Sequence, residues 1–177
     1  DLLNTIEFAG YVPAGGAVYP SGAFGLALKQ SAALIKAQVG VEAIAIDVGG
    51  WDTHDQQGNL TGFMAGLMNT LALTLAAFYR DMTAGVAPTF SLVVMSEFGR
   101  RVAENGSAGT EHGHGNCMFV MGNCIDGGRV LANWPGLGAG HQVPGAEVAF
   151  LGDHHLVEVP DRRRELPGVH LCLGELV

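Results

Sequence analysis

Two helical patterns alternate with three short apolar runs along the chain. Apolar residues at helical spacing predict one helix that Ser21 caps, that runs to about Gln38 and that Gly40 stops, and a second helix over 60–83. Continuous apolar runs predict three buried strands, at 43–48, 89–95 and 117–121. The strand–helix–strand order is that of a βαβ unit. The pattern therefore predicts an α/β protein with a mostly parallel sheet flanked by helices.

Little regular structure is predicted in the remaining segments. Residues 1–20 are irregular in this prediction, and 137–160 are loop-rich, because proline and glycine interrupt both stretches. A small hairpin edge is predicted at 129–131, and a last short helix over 162–173 is interrupted by Pro167. A length of 177 residues favours a single domain over 1–177.

Composition excludes some classes of partner. Apolar residues make up 48% of the chain and charged residues 15%, so either the sheet is well buried or the chain packs against another segment. No window supplies the roughly 18 uninterrupted apolar residues of a membrane span. The net charge of −8 argues against nucleic acid as a partner, because neutralising phosphates requires a basic surface.

Asp52 and His54 follow the first predicted strand and form the first candidate site. In extended backbone, residues i and i+2 point to the same side, so both side chains could reach one ion. The alternative interpretation is an aspartate in a turn beside an exposed histidine. The preceding Gly49 and Gly50, and Trp51 as a wedge for the loop, favour the functional interpretation.

Further candidate ligands follow the second strand. Glu97 comes directly after it, where a carboxylate either caps a helix or serves a site, and His112 and His114 lie among glycines. Arg100 could bind an anionic substrate oxygen, or simply pair with a nearby carboxylate. Because ligands bind at the carboxyl ends of strands in α/β proteins, we expect these residues to form one metal site. Mixed carboxylate and imidazole ligands suit zinc, with manganese or iron as alternatives.

Five motifs in this order resemble the DUF1501 family, a bacterial group placed in the alkaline-phosphatase-like superfamily. They are Gly49–Asp55, Met95–Arg101, Glu104–Ser107, Gly109–Gly115 and Trp134–Leu137. The resemblance implies an alkaline-phosphatase-like fold, of which this chain is the C-terminal, metal-binding part. It implies that Asp52 and His54 are the first ligands. Glu97 is the second, and Phe98 stands beside it in place of a superfamily histidine. His112 is the last ligand, with His114 as its substitute.

The resemblance implies a metal-dependent hydrolase of phosphate or sulfate esters, with a small anionic ester as substrate. The superfamily's nucleophile lies in the N-terminal half, so no catalytic residue is assigned here, and the missing half or another chain is the expected partner. Family members are often exported, which implies a periplasmic location, although this chain holds no signal. The alternatives are a non-catalytic exported binding or assembly protein, and a single-ion hydrolase of amides or carboxylic esters.

Overall fold

The computed structural model describes residues 8–85, 87–132, 134 and 136–138, and the backbone of one strand beyond them. In chain order the elements are a 3-10 helix at Phe8–Gly10, α1 at Ala23–Ala37, β1 at Ala43–Ala45, α2 at Phe63–Thr83, β2 at Phe90–Val94, β3 at Gly99–Glu104, β4 at Thr110–Gly113, β5 at Phe119–Gly122 and β6 at Val169–Leu173.

The main sheet has four strands in the order β1-β6-β2-β5. β6 is parallel to both β1 and β2, whereas β5 is antiparallel to β2, with Leu92 opposite Met121. β3 and β4 form a separate two-stranded antiparallel ribbon. Among the described strands, half of the pairings are therefore antiparallel.

The helices lie on one face of this sheet in the described residues. Ile44, Leu92 and Met121 share one row of the sheet, and all three pack against the hydrophobic core that both helices line. Ala43 and Ala45, which point to the other face, are exposed. The helices also contact each other, which helices on opposite faces could not do.

The predicted fold class, an alkaline-phosphatase-like α/β fold with a mostly parallel sheet flanked by helices, is therefore wrong. The sheet is mixed, and the ribbon that lies between β2 and β5 in the chain is antiparallel. An apolar run indicates burial but not strand direction, which explains the error at β5. The ribbon lies within the glycine-rich segment 96–116, for which the sequence pattern predicts no strand.

The core joins the two helices to β2. Phe78 of α2 and Phe90 of β2 are fully buried and meet edge to face, with ring centroids 5.4 Å apart. Leu28, Ala32 and Ile35 give α1 its buried face. Truncating Phe78 to alanine would cost about 3–5 kcal/mol of stability, because it removes buried apolar contacts and leaves a cavity in the core.

The helix ends differ in detail from the predicted ones. The residue that precedes α1 is Gly22, at φ 125°, and no side chain caps the helix. Gly25 lies so close to the Pro20 carbonyl that a β-carbon there would clash with it, so this start is set by close packing and the predicted Ser21 cap is wrong. α1 ends where Gln38 adopts the left-handed conformation and its N–H donates to the Ile35 carbonyl, rather than at Gly40.

A buried carboxylate ties the segment before α1 to both helices. Asp81 of α2 is fully buried and accepts hydrogen bonds from Tyr11 and Tyr19. It also accepts from the Ala14 amide at 2.7 Å and pairs with Lys36 of α1 at 2.5 Å. The predicted irregular segment 1–20 is thus held by specific contacts over its described part.

Two further predictions concern the C-terminal part of the chain. Arg129, Val130 and Leu131 form no strand, so the predicted hairpin edge is wrong. The predicted helix over 162–173 is wrong where the structure describes it, since Val169–Leu173 is strand β6, inserted between β1 and β2. Residues 162–168 and most of the predicted loop-rich segment 137–160 lie outside the described residues. Neither α1 nor α2 has the length and apolar character that a membrane-spanning helix requires.

Candidate metal centre

Three of the predicted ligands meet at one point. Asp52 Oδ1 lies 2.8 Å from His54 Nε2 and 2.7 Å from His112 Nε2. One ligand atom from each residue lies within 4.8 Å of the other two. We call these three residues the triad. Asp52 and His54 come from the loop after β1, whereas His112 lies on β4, so the site joins the main sheet to the separate ribbon.

Glycine allows the ribbon to form. A β-carbon at Gly99 would lie 2.5 Å from the Gly113 carbonyl oxygen, and one at Gly113 would lie 2.7 Å from the Arg101 nitrogen. Both positions pair directly across the ribbon. The backbones approach too closely for any side chain at either position, and this close pairing fixes where His112 lies.

A backbone junction holds the two loops of the site together. The amides of Gln56 and Gln57 donate to the carbonyls of Ser107 and Ala108, each at 2.9 Å. The Gln57 side-chain oxygen accepts from two threonine hydroxyls, those of Thr53 and Thr110. This junction positions His54 and His112 relative to each other.

Close approach at Gly109 completes the junction. A β-carbon on Gly109 would clash with the carbonyl group of His54. Asn105 reinforces the contact, because its Oδ1 accepts from the Gly109 amide at 3.0 Å while its Nδ2 donates to the His54 carbonyl at 2.9 Å. The site therefore depends on a glycine and an asparagine that contribute no ligand atom.

Glu111 supports His54 from the side opposite to Asp52. His54 Nδ1 lies 3.3 Å from Glu111 Oε2, and the other Glu111 oxygen accepts from Asn105 Nδ2 at 2.6 Å. That Asn105 bond, followed by the charge of His54, keeps the pKa of Glu111 below its ordinary value. Histidines that bind metals usually donate their second ring N–H to a carboxylate, and His54 has this arrangement.

Arg100 binds protein atoms in the site. Its guanidinium donates to the Trp51 carbonyl at 2.7 Å and to the Thr110 carbonyl, which joins the two loops. It also lies 3.5 Å from Asp52 Oδ1. Burial lowers the pKa of Arg100, with the Asp52 charge acting in the opposite direction. The predicted role of Arg100 in binding an anionic substrate remains a prediction.

Phe98 forms the apolar wall of the site. Its ring stacks on the His112 imidazole, with centroids 4.3 Å apart and planes 14° apart, and the Arg100 guanidinium lies 4.8 Å from its centroid. Phe98 is itself nearly buried. The stack restricts rotation of the His112 ring, so its Nε2 remains directed toward Asp52.

The electrostatics of Asp52 favour its anionic form. A hydrogen bond from His112 lowers the pKa of Asp52 below its ordinary value, and the charges of His54 and Arg100 act in the same direction against the effect of burial. The Asp52 side chain is 52% exposed. The triad is therefore open to solvent on its carboxylate side, which leaves room for a further ligand.

The donor set fits a divalent ion. Two neutral imidazoles and a carboxylate are a recurrent set for zinc and for first-row transition metals. In a tetrahedral zinc site the ligand atoms are about 3.3 Å apart, so the two contacts of Asp52 Oδ1 would lengthen by about 0.5 Å on binding. Rotation of the half-exposed Asp52 side chain could supply this small movement.

The other two predicted ligands lie outside this cluster. Among the described residues, the one group that could hold an ion contains neither Glu97 nor His114. His114 is exposed in the segment after β4, and Glu97 precedes β3. His114 follows the last residue of β4 and Glu97 precedes the first residue of β3, so neither is held by the strand pairing that positions His112.

The family described as Protein of unknown function (DUF1501) matches residues 29–153, which is more than half of the chain. The chain belongs to the DUF1501 family. No curated protein and no solved structure matches it. The match includes every residue of the triad and of its supporting contacts.

The sequence of this DUF1501 chain predicts all three residues of the triad as candidate ligands, but it does not predict the residues that position them. Asn105 and Glu111 lie in the quoted motifs, yet an asparagine in a glycine-rich loop is more often a turn residue than the centre of a hydrogen-bond network. Gln57 carries no sequence signal that distinguishes it from its neighbours. Only the three-dimensional contact between the loops shows what these residues do.

Proposed function

We propose that this DUF1501 chain binds a divalent metal ion through Asp52, His54 and His112. The observation that supports the proposal most is the convergence of three ligand atoms within 4.8 Å from two segments distant in the sequence. The contact of His54 Nδ1 with Glu111 adds the supporting carboxylate that metal-binding histidines use. Zinc suits this donor set best, with manganese or iron as alternatives.

We further propose that the intact protein hydrolyses a phosphate or sulfate ester at this centre. Family resemblance to alkaline-phosphatase-like enzymes, and a carboxylate–imidazole centre that is open to solvent, support this activity. A bound divalent ion would act as a Lewis acid toward an ester oxygen. The chain's own residues would hold that ion, and Phe98 and Arg100 would fix the orientation of His112 and the loop around it.

The nucleophile would come from outside the described residues. Near the triad, the hydroxyls of Thr53 and Thr110 both donate to Gln57, and the Ser96 hydroxyl donates to the Phe98 carbonyl at 2.9 Å. Each of these hydroxyls therefore has a structural partner. This supports the proposal that an N-terminal half or another chain supplies the nucleophile. The family resemblance separately supports the proposal that the protein is exported.

Calorimetric titration with zinc tests the metal proposal. We expect one ion per chain, and loss of this binding in the His54→Ala and His112→Ala variants. His114→Ala is the matched control, since it removes a neighbouring imidazole that lies outside the triad, and binding should be retained. Zinc binding that survives His112→Ala, or that is lost in His114→Ala, would contradict the assignment.

A second candidate function is a non-catalytic binding or assembly protein that retains the metal site. Phe98 favours it, because a buried phenyl ring stacked on His112 stands where the superfamily resemblance expects another ligand. Assays of the full-length protein with phosphate and sulfate esters in the presence of zinc or manganese distinguish the two. Turnover that depends on Asp52 supports the hydrolase, and stoichiometric metal without turnover supports the binding protein.

A further inference from the structure

An asparagine that precedes a glycine lies at the centre of the junction between the two loops. Asn105 is followed by Gly106, and no other asparagine of the sequence is followed by a glycine. Asparagine is a thermolabile residue. It reacts fastest before glycine, because no β-carbon hinders the main-chain nitrogen that attacks its side chain. Gly106 is exposed, so water can reach both residues.

The fold does not require a glycine at position 106. A β-carbon there would meet nothing within 4 Å, and Gly106 does not adopt a positive φ. Within the described part of the chain, the Gly106 amide donates no hydrogen bond. This nitrogen is therefore not held by a partner that would have to be released before it reacts.

The Asn105 side chain uses both hydrogens of its amide. Nδ2 donates to the His54 carbonyl at 2.9 Å and to Glu111 Oε1 at 2.6 Å. Oδ1 accepts from the amides of Ser107 and Gly109, at 2.9 and 3.0 Å. An ionised aspartate in this position would have no donor. Its second oxygen would face the His54 carbonyl and the Glu111 carboxylate, so both contacts would become repulsive.

We propose that Asn105 is a site of spontaneous deamidation and that this reaction opens the junction. The Gly106 nitrogen loses its proton and bonds to the carbonyl carbon of the Asn105 side chain. The bond from that carbon to Nδ2 breaks, and the amide leaves with the proton as ammonia. The resulting succinimide ring takes up one water molecule and opens to aspartate or isoaspartate. Water is the only co-reactant.

Both products remove contacts that hold the junction. Aspartate loses the two donors, whereas isoaspartate carries the main chain through the former side chain and so lengthens the loop by one carbon atom. The second change removes the turn in which Asn105 Oδ1 accepts from Ser107. Weaker metal binding after deamidation rests on the proposed function. The reaction and the opening of the junction do not.

Ageing of the metal-free chain at mildly alkaline pH tests the reaction. Peptide mapping by mass spectrometry should find the mass gain of exchanging NH₂ for OH in the peptide that contains Asn105, together with isoaspartate. Gly106→Ala is the matched variant and should react about tenfold more slowly, because its methyl group hinders the attack. Equal rates in the two chains, or an Asn105 that stays intact while the other asparagines react, would overturn the assignment.

Hydrogen exchange at the amides of Gln56 and Gln57 measures the junction, since both donate across it. In Asn105→Asp, which carries one product directly, their exchange should be at least about tenfold faster. Asn59→Asp is the control for charge. Asn59 is exposed, and its Oδ1 accepts from the Leu60 amide, a role that aspartate retains, so exchange should not change.

The aged parent chain is measured in the same way, so the test does not depend on the folding of one variant. Protected amides in α1 and α2 would show that the change is confined to the junction. Full protection of Gln56 and Gln57 in both Asn105→Asp and the deamidated parent would overturn the opening. Failure of zinc binding would leave all of these results intact.

Discussion

Asp52 Oδ1 and His112 Nε2 are 2.7 Å apart, although the two residues are separated by 60 positions in the sequence. One belongs to the loop after β1 and the other to a ribbon outside the main sheet. Their contact therefore exists only when the two parts of the chain are docked. Residues that maintain this docking should control metal affinity as strongly as the ligands do.

Glu111→Gln should weaken zinc binding by about 10–100-fold, the usual effect of removing a supporting carboxylate. Glu111 contacts His54 Nδ1 and binds no ion itself in this account. Glutamine carries no negative charge, so it would stabilise the N–H at His54 Nδ1 less than Glu111 does. Competition titration with a chromogenic chelator measures the affinity.

Glu104→Gln is the matched control for that substitution, because it removes an exposed carboxylate from the same ribbon. We expect its zinc affinity to equal that of the parent chain. Equal losses in both variants would indicate a general charge effect rather than support of His54.

Gly109→Ala should separate the two loops of the site. A methyl group at this position clashes with the His54 carbonyl, so the junction must open and zinc affinity should fall at least tenfold. Gly106→Ala, three residues earlier in the same loop, meets nothing within 4 Å and should bind zinc normally. Normal affinity in Gly109→Ala would show that the docking of the loops does not position His54.

Asp81→Asn should destabilise the chain by roughly 3–5 kcal/mol, since it breaks a buried ion pair. The lower end is expected, because the Lys36 side chain is 20% exposed and keeps some hydration. Chemical denaturation at neutral pH measures the free energy of unfolding. Zinc affinity should not change, because Asp81 lies outside the triad.

The difference in unfolding free energy between the parent and Asp81→Asn should depend on pH, in a direction that the pKa of Asp81 sets. Burial raises the pKa of Asp81, but the hydrogen bonds from Lys36, Ala14 and the two tyrosines outweigh it, so the pKa lies below its ordinary value. A lowered carboxyl pKa contributes stability above about pH 4, the value in the unfolded chain, and the contribution is lost as pH falls below it. The stability difference between parent and Asp81→Asn should therefore shrink on acidification. A difference that stays constant down to pH 2 would contradict this assignment.

The local elements were easier to predict from the sequence than their arrangement. α1 and α2 begin and end within three residues of the predicted bounds, because apolar spacing is a local signal. The antiparallel direction of β5 and the insertion of β6 between β1 and β2 depend on long-range pairing, which leaves no local pattern. The antiparallel pairings, β2 with β5 and β3 with β4, are what overturned the predicted fold class.

The candidate site shows the same difference between local sequence patterns and long-range contacts. Aspartate and histidine commonly bind metals, so Asp52, His54 and His112 could be predicted as candidate ligands from the sequence. Glu97 and His114 share that chemistry, but they lie outside the ribbon strands and outside the cluster. Gly109 and Asn105 act by close approach and by bridging two loops, and such roles are visible only in three dimensions.

Zinc X-ray absorption on the loaded chain tests the central claim most directly. The account predicts a first shell of nitrogen and oxygen atoms at about 2.0–2.1 Å, with the outer-shell scattering of two imidazoles. In the His112→Ala variant, any residual zinc should show one imidazole, and in His114→Ala it should still show two. A shell without imidazole scattering, or one that His112→Ala leaves unchanged, would contradict the metal centre of Asp52, His54 and His112.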